Sequence, residues 1–240
     1  MHRYLCGALV LCLLSSVGCS FGSGSERKTP DGGVETSGPG MARSPATAVS
    51  VTASADQRPR VVFLGDSLTA GLGLAPDQAY PTLVQGKLDD GGMNYHVINA
   101  GVSGDTSAGG LSRLDWAFEG DVRIMVVALG GNDALRGLPA EELRKNLSTI
   151  IERAQAKKIR VVLAGMEAPP NFGQSYIVSF HEVYPDLARK YGVPLIPFLL
   201  QGVAGIEGLN QRDGIHPTAE GARIVADNVW TVLRPMLKTT

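Results

Sequence analysis

Cysteine is confined to the first 19 residues: Cys6, Cys12 and Cys19 are all that the chain has. The rest therefore lacks a disulfide, a thiol nucleophile and a cysteine-based metal site. Net charge is missing too. Against 22 Lys and Arg stand 23 Asp and Glu, a balance of −1, with the basic residues scattered. That excludes the electrostatic footprint of a nucleic-acid binder. After residue 20 no apolar run approaches membrane-spanning length. Histidine is scarce, four in 240 residues, so each can be weighed singly. What remains is 44% apolar and 19% charged, ordinary globular composition with the length for one domain and a substantial core.

The cysteine-bearing start has its own logic. Residues 1–19 carry a basic start at Arg3, an apolar run from Tyr4 to Leu14, and small residues leading to Cys19. This reads as a secretory signal peptide, too short for a stable transmembrane helix. Its end, Ser16-Val17-Gly18-Cys19, resembles a lipobox, with Ser16 where leucine is usual. Lipidation at Cys19 is the expectation and plain secretion the alternative. Either makes the protein exported, periplasmic or at the cell surface, and touching a membrane only through an N-terminal lipid anchor. Residues 20–57 are dominated by Ser, Gly, Ala, Thr and Pro without apolar periodicity, the composition of a disordered tether. Gly18 to Gly22 matches the G-x-S-x-G hydrolase elbow. That motif needs a strand before it and a helix after it, and a signal peptide followed by a linker supplies neither.

From residue 58 to 240 strand and helix patterns alternate. Strands are predicted at 60–65, 95–100, 124–129, 159–165 and 194–197, each a short apolar run. Helices are predicted at 141–157, 174–191 and 217–236, each with one apolar face. The expected fold is α/β, a flavodoxin-like three-layer α/β/α sandwich on a five-stranded parallel sheet in the order 2-1-3-4-5. In such sheets ligands bind outside the carboxyl ends of the strands, at the switch point between strands one and three.

Small polar loops follow those strands. Gly65-Asp66-Ser67 breaks the first strand, Gly101 to Thr106 follows the second, and Gly130-Gly131-Asn132-Asp133 follows the third. Glycine-rich loops after strands also cradle phosphates, but neither nucleotide-binding glycine pattern occurs. Ser67 read alone is equally a helix N-cap. A fourth segment, Asp213-Gly214-Ile215-His216-Pro217, ends a loop long enough to return from the sheet edge to the switch point. Asp213 is placed to fix the His216 tautomer, and Pro217 suits the first turn of the last helix. The other histidines make poor bases: His2 lies in the signal peptide, His96 in a predicted strand and His181 in mid-helix.

These four blocks together resemble the SGNH (GDSL) hydrolase family, over about residues 60–237. The likeness is nearest to its bacterial thioesterase I, lysophospholipase and arylesterase branch. The resemblance implies a Ser67–His216–Asp213 mechanism for hydrolysing acyl esters or thioesters. It also implies an oxyanion hole from the Ser67 and Gly104 backbone N–H groups and the Asn132 amide, with no metal and no organic cofactor. It makes Asp66 a residue that ties loops together. Leu72, Leu74, Met166, Pro169, Phe172 and Tyr176 are the candidate substrate-binding wall, with core packing as the alternative for any one of them. Glu167 and the glycine-rich stretch 202–208 depart from the branch pattern. The expected partner is a small-molecule or lipid ester, and the expected state a monomer. Two other functions stay open on the same residues: a carbohydrate acetyl esterase, and a non-catalytic lipid- or glycan-binding lipoprotein.

Overall fold

The computed structural model describes residues 56–237. The expectations for the signal peptide, Cys19 and most of the tether lie outside the described residues.

Five strands form one sheet: β1 (Arg60–Gly65), β2 (His96–Gly101), β3 (Val122–Ala128), β4 (Arg160–Ala164) and β5 (Leu195–Ile196). They pair in the order β2-β1-β3-β4-β5, all parallel, as expected. In the centre of the sheet Val62 lies between Ile98 and Met125. Val61 to Leu64 and Ile124 to Ala128 are buried, because strands covered on both faces have no solvent side to alternate toward.

The helices are α1 (Ser67–Ala70), α2 (Tyr80–Asp90), α3 (Ser107–Ser112), α4 (Leu114–Ala117), α5 (Gly131–Leu135), α6 (Ala140–Ala156), α7 (Gln174–Tyr191) and α8 (Ala219–Leu233). α2 packs on α8 on one side, while α6 packs on α3 and α7 on the other, which completes the three layers. The apolar stripe expected in α6, Leu143, Leu147, Ile150, Ile151 and Ala154, is buried throughout.

Two expectations shift. α8 begins after Thr218, whose side chain caps the Gly221 N–H. Pro217 is therefore outside the helix and forms an isolated bridge with Asn210. In α7 Phe180 and Tyr184 are both fully buried, whereas Tyr176 and Tyr191 are only partly covered. Phe172, Tyr176, Phe180 and Tyr184 stack in a row with centroids 5.5, 5.9 and 5.8 Å apart. The last hydroxyl donates to the Leu129 carbonyl at 3.0 Å, which anchors α7 at the carboxyl end of β3.

Candidate active site

Ser67 follows the end of β1 directly. The helix that begins there is capped by Asp66, whose Oδ1 accepts the Leu68 N–H at 3.0 Å. Ser67 is thus the first helical residue rather than the cap, and its hydroxyl is left for other chemistry. Its Oγ lies 2.8 Å from His216 Nε2.

His216 arrives on the long connection from β5 to α8. Asp213 Oδ1 accepts the backbone N–H groups of Ile215 (2.9 Å) and His216 (3.0 Å), while Oδ2 meets His216 Nδ1 at 2.7 Å. One carboxylate thus shapes the turn and orients the ring. Those two backbone N–H groups, with the imidazole contact, hold the Asp213 carboxyl down at about 2. It stays an anion through the neutral and mildly acidic range.

The other two loops converge on the same spot. Gly130, before α5, has φ +118°, and a Cβ there would sit 2.1 Å from the Tyr184 hydroxyl, so only glycine fits. After that turn consecutive side chains diverge. Asp133, buried, accepts from the Ser107 N–H (2.8 Å) and hydroxyl (2.6 Å), and so ties α5 to the start of α3. Asn132 turns to the site, where its Nδ2 donates to the Asp105 carbonyl (2.9 Å) and to Asp66 Oδ2 (3.3 Å). The longer bond is the weaker one. Gly104 has φ +86°. Neither its N–H nor that of Ser67 has an acceptor among the described residues. Asp66 is buried beside this cluster, and desolvation pushes its carboxyl up to about 6.

Arg113 spans two of these loops. Its Nε donates to Asp105 Oδ2 at 2.6 Å and a terminal nitrogen to the Gly65 carbonyl at 2.8 Å. Arg136 donates to the Gly104 carbonyl at 2.7 Å. Neither arginine carries a sequence signal, because the backbone carbonyls they reach leave no trace in residue type and the Asp105 partner of Arg113 is shown only by the fold.

Beside Ser67 and His216 opens a cavity of about 510 Å³, which Asn132 lines as well. Of the expected wall residues Met166 and Pro169 line it, joined by Leu135, Phe198, Leu200 and Ile215. Phe172 and Tyr176 do not. The Tyr176 hydroxyl is tied to the Leu138 carbonyl at 2.8 Å and the Phe172 ring lies against Gly137, so both brace the turn between α5 and α6. Leu72 and Leu74 line a second, narrow cleft that shares Ser67 and His216 with this cavity and whose volume of about 10 Å³ is room for about one water. Among the described residues no cluster of three or more His, Cys, Asp or Glu could hold a metal ion.

Comparison with known proteins places this geometry. The GDSL-like Lipase/Acylhydrolase family matches residues 63–224. Esterase TesA of Pseudomonas aeruginosa is 43% identical over 178 residues, 74% of this chain and 89% of that protein. The Escherichia coli protein named thioesterase 1/protease 1/lysophospholipase L1 is 35% identical over 74% of this chain and 84% of its own. Among solved structures, that of TesA superposes with a TM-score of 0.72 at 42% identity, covering 74% of this chain and 99% of the other. AlinE4, an SGNH-hydrolase family esterase, gives 0.63 at 42% identity over 75% and 97%. The matched segment starts within β1 and ends within α8, so it takes in all four loops that meet at Ser67. The chain belongs to the GDSL-like lipase/acylhydrolase family and is a hydrolase of carboxylic esters.

Proposed function

We propose that the chain is a serine esterase working through Ser67, His216 and Asp213. The observation that carries this reading is the unbroken line from Asp213 Oδ2 to His216 Nδ1 (2.7 Å) and from His216 Nε2 to Ser67 Oγ (2.8 Å). His216 takes the Ser67 proton as Oγ attacks the ester carbonyl, and Asp213 fixes the tautomer and stabilises the imidazolium. The free Ser67 and Gly104 N–H groups receive the negative charge that develops on the carbonyl oxygen. Asn132 joins them by giving up its long bond to Asp66. The alcohol or thiol leaves with the proton from His216, and water then releases the acid by the same steps in reverse.

The cavity favours an acyl ester of the aryl, lysophospholipid or thioester kind over an acetyl group on a glycan. Its ≈ 510 Å³ lies in the range of small-molecule sites and far exceeds what acetyl needs. A chain-length series of p-nitrophenyl esters tests this, with kcat/KM expected to rise from acetyl to medium chains. Ser67→Ala should fold normally, lose nearly all turnover and lose labelling by a fluorophosphonate probe. Its residual rate should reflect binding and the oxyanion donors, about 10³–10⁴ over water in serine proteases. Fast turnover of acetyl esters alone would point to a carbohydrate acetyl esterase. An unlabelled wild type would leave only the binding role.

Export and a lipid anchor at Cys19 belong to the same proposal and are supported by the sequence of residues 1–19. Cys19→Ser should move the protein from the membrane fraction to the soluble one. Incorporation of labelled palmitate by the wild type and not by the variant checks it, and an unlabelled wild type would mean that Cys19 carries no lipid.

A further inference from the structure

Glu167 stands in the wall of the substrate cavity between Met166 and Ala168, which line it too. No lysine or arginine lines that cavity among the described residues, and its other carboxylate is the buried Asp66. Glu167 is also held in place: its Oε1 meets Nδ1 of His181, on α7, at 2.8 Å. With Nδ1 as the donor the bond holds Oε1 and requires no charge on the ring. The remainder of the wall is largely apolar, including Leu135, Pro169, Phe198 and Ile215.

The Glu167 side chain is 36% exposed, so water screens its charge in part, yet at low ionic strength that charge still acts across several ångströms of the cavity. A neutral ester passes Glu167 without electrostatic cost. An anionic one meets carboxylates, finds no lining cation, and must shed its own hydration to enter. Specificity of this kind comes from rejecting the wrong partner as much as from gripping the right one.

We propose that Glu167, positioned by His181, is a specificity residue that excludes negatively charged groups from the cavity. The substrate class is then neutral or cationic esters, such as aryl esters, against carboxylate- or phosphate-bearing ones, which takes anionic lysophospholipids and coenzyme A thioesters out of the kinds named above. This rests on the esterase reading above and narrows it.

The test uses pairs of esters matched in shape, assayed at pH 8 and low ionic strength, where a carboxyl titrating near 6 such as Asp66 is also ionised. One pair carries the charge on the acyl side: the p-nitrophenyl monoester of adipic acid against that of its monoamide. The other carries it on the alcohol side: 4-carboxyphenyl against 4-carbamoylphenyl butyrate. The readout is the neutral-to-anionic ratio of kcat/KM, compared between proteins so that intrinsic reactivity and any general loss of activity cancel. Wild type should discriminate against the anion on the order of tenfold in at least one pair, and that pair reports which end of the substrate faces Glu167. Glu167→Gln should remove most of the discrimination and Glu167→Lys should invert it. In wild type alone, added salt should erode the ratio. Ratios within twofold of wild type for both variants, in both pairs, overturn the proposal. Turnover and probe labelling that survive in Ser67→Ala would instead overturn the esterase reading, and this proposal with it.

Discussion

At the scale of single residues the site turns on which atoms are free. Asp66 takes the capping role and so frees the Ser67 hydroxyl; a serine that capped its own helix would have its oxygen aimed at a backbone N–H. Asn132 is the reverse case, since its amide already has two acceptors before any substrate arrives. Asn132→Ala should lower kcat by roughly 10²–10³, the usual loss for one oxyanion donor, with much less change in KM. Steady-state kinetics separates the two, and a raised KM with kcat intact would make Asn132 a binding residue. Because the Asp213 carboxyl is held down to about 2, it stays ionised on mild acidification and contributes nothing to a loss of activity there. That Ser67, His216 and Asp213 come together was legible in the sequence because each sits in a short block of small polar residues that breaks an apolar pattern. Arg113 and Arg136 were not, since reaching a backbone carbonyl leaves no trace in residue type.

At the scale of elements the deciding piece is the connection from β5 to α8. It has no regular structure to hold it, so side chains stitch it down. Gln211 Nε2 donates to the carbonyls of Leu72 (2.7 Å) and Pro217 (2.9 Å), and the Gln211 N–H donates to the His216 carbonyl (2.7 Å). Asn210 Nδ2 reaches the carbonyls of Val203 and Ile206. Gln211 therefore fastens the histidine-bearing segment to the loop after α1, the helix that begins with Ser67. Gln211→Ala should cost about 1–2 kcal/mol of stability for two lost hydrogen bonds and lower kcat about tenfold. Denaturant unfolding and kinetics on one preparation check it, and wild-type kcat at reduced stability would show that the tie is structural only. The length of this connection already indicated a functional loop, but its anchors did not, because they lie up to 139 residues apart in sequence. The same holds for the aromatic wall. The sequence put Phe172 and Tyr176 in the candidate substrate wall, yet could not say that they meet Gly137 and Leu138 instead.

At the scale of the whole molecule, burying Asp66 behind the nucleophile couples the site to stability. Its folded value of about 6 lies above the ordinary 3.8. Below about pH 4 both folded and unfolded chains hold the proton and the group costs nothing. Between about 4 and 6 only the folded chain holds it, so stability falls as pH rises, and above about 6 the full penalty applies. The penalty is on the order of 2–3 kcal/mol. From pH 4 to pH 7 the stability difference between Asp66→Asn and wild type should therefore move by about that amount in favour of the variant. Urea unfolding at the two pH values measures it, and a constant difference would mean that Asp66 carries no such shift. The sequence by itself determined the parallel α/β sandwich, its strand order and the four loops that meet at Ser67. Period, breaker residues and strand ends are local properties, and the rules that order parallel strands then leave few arrangements. Only the tertiary structure decided which apolar residues line the cavity beside Ser67, that Asp66 is buried, and that Glu167 stands in the cavity wall. Those depend on how side chains from distant segments share one volume, and no residue type encodes its neighbours across a fold.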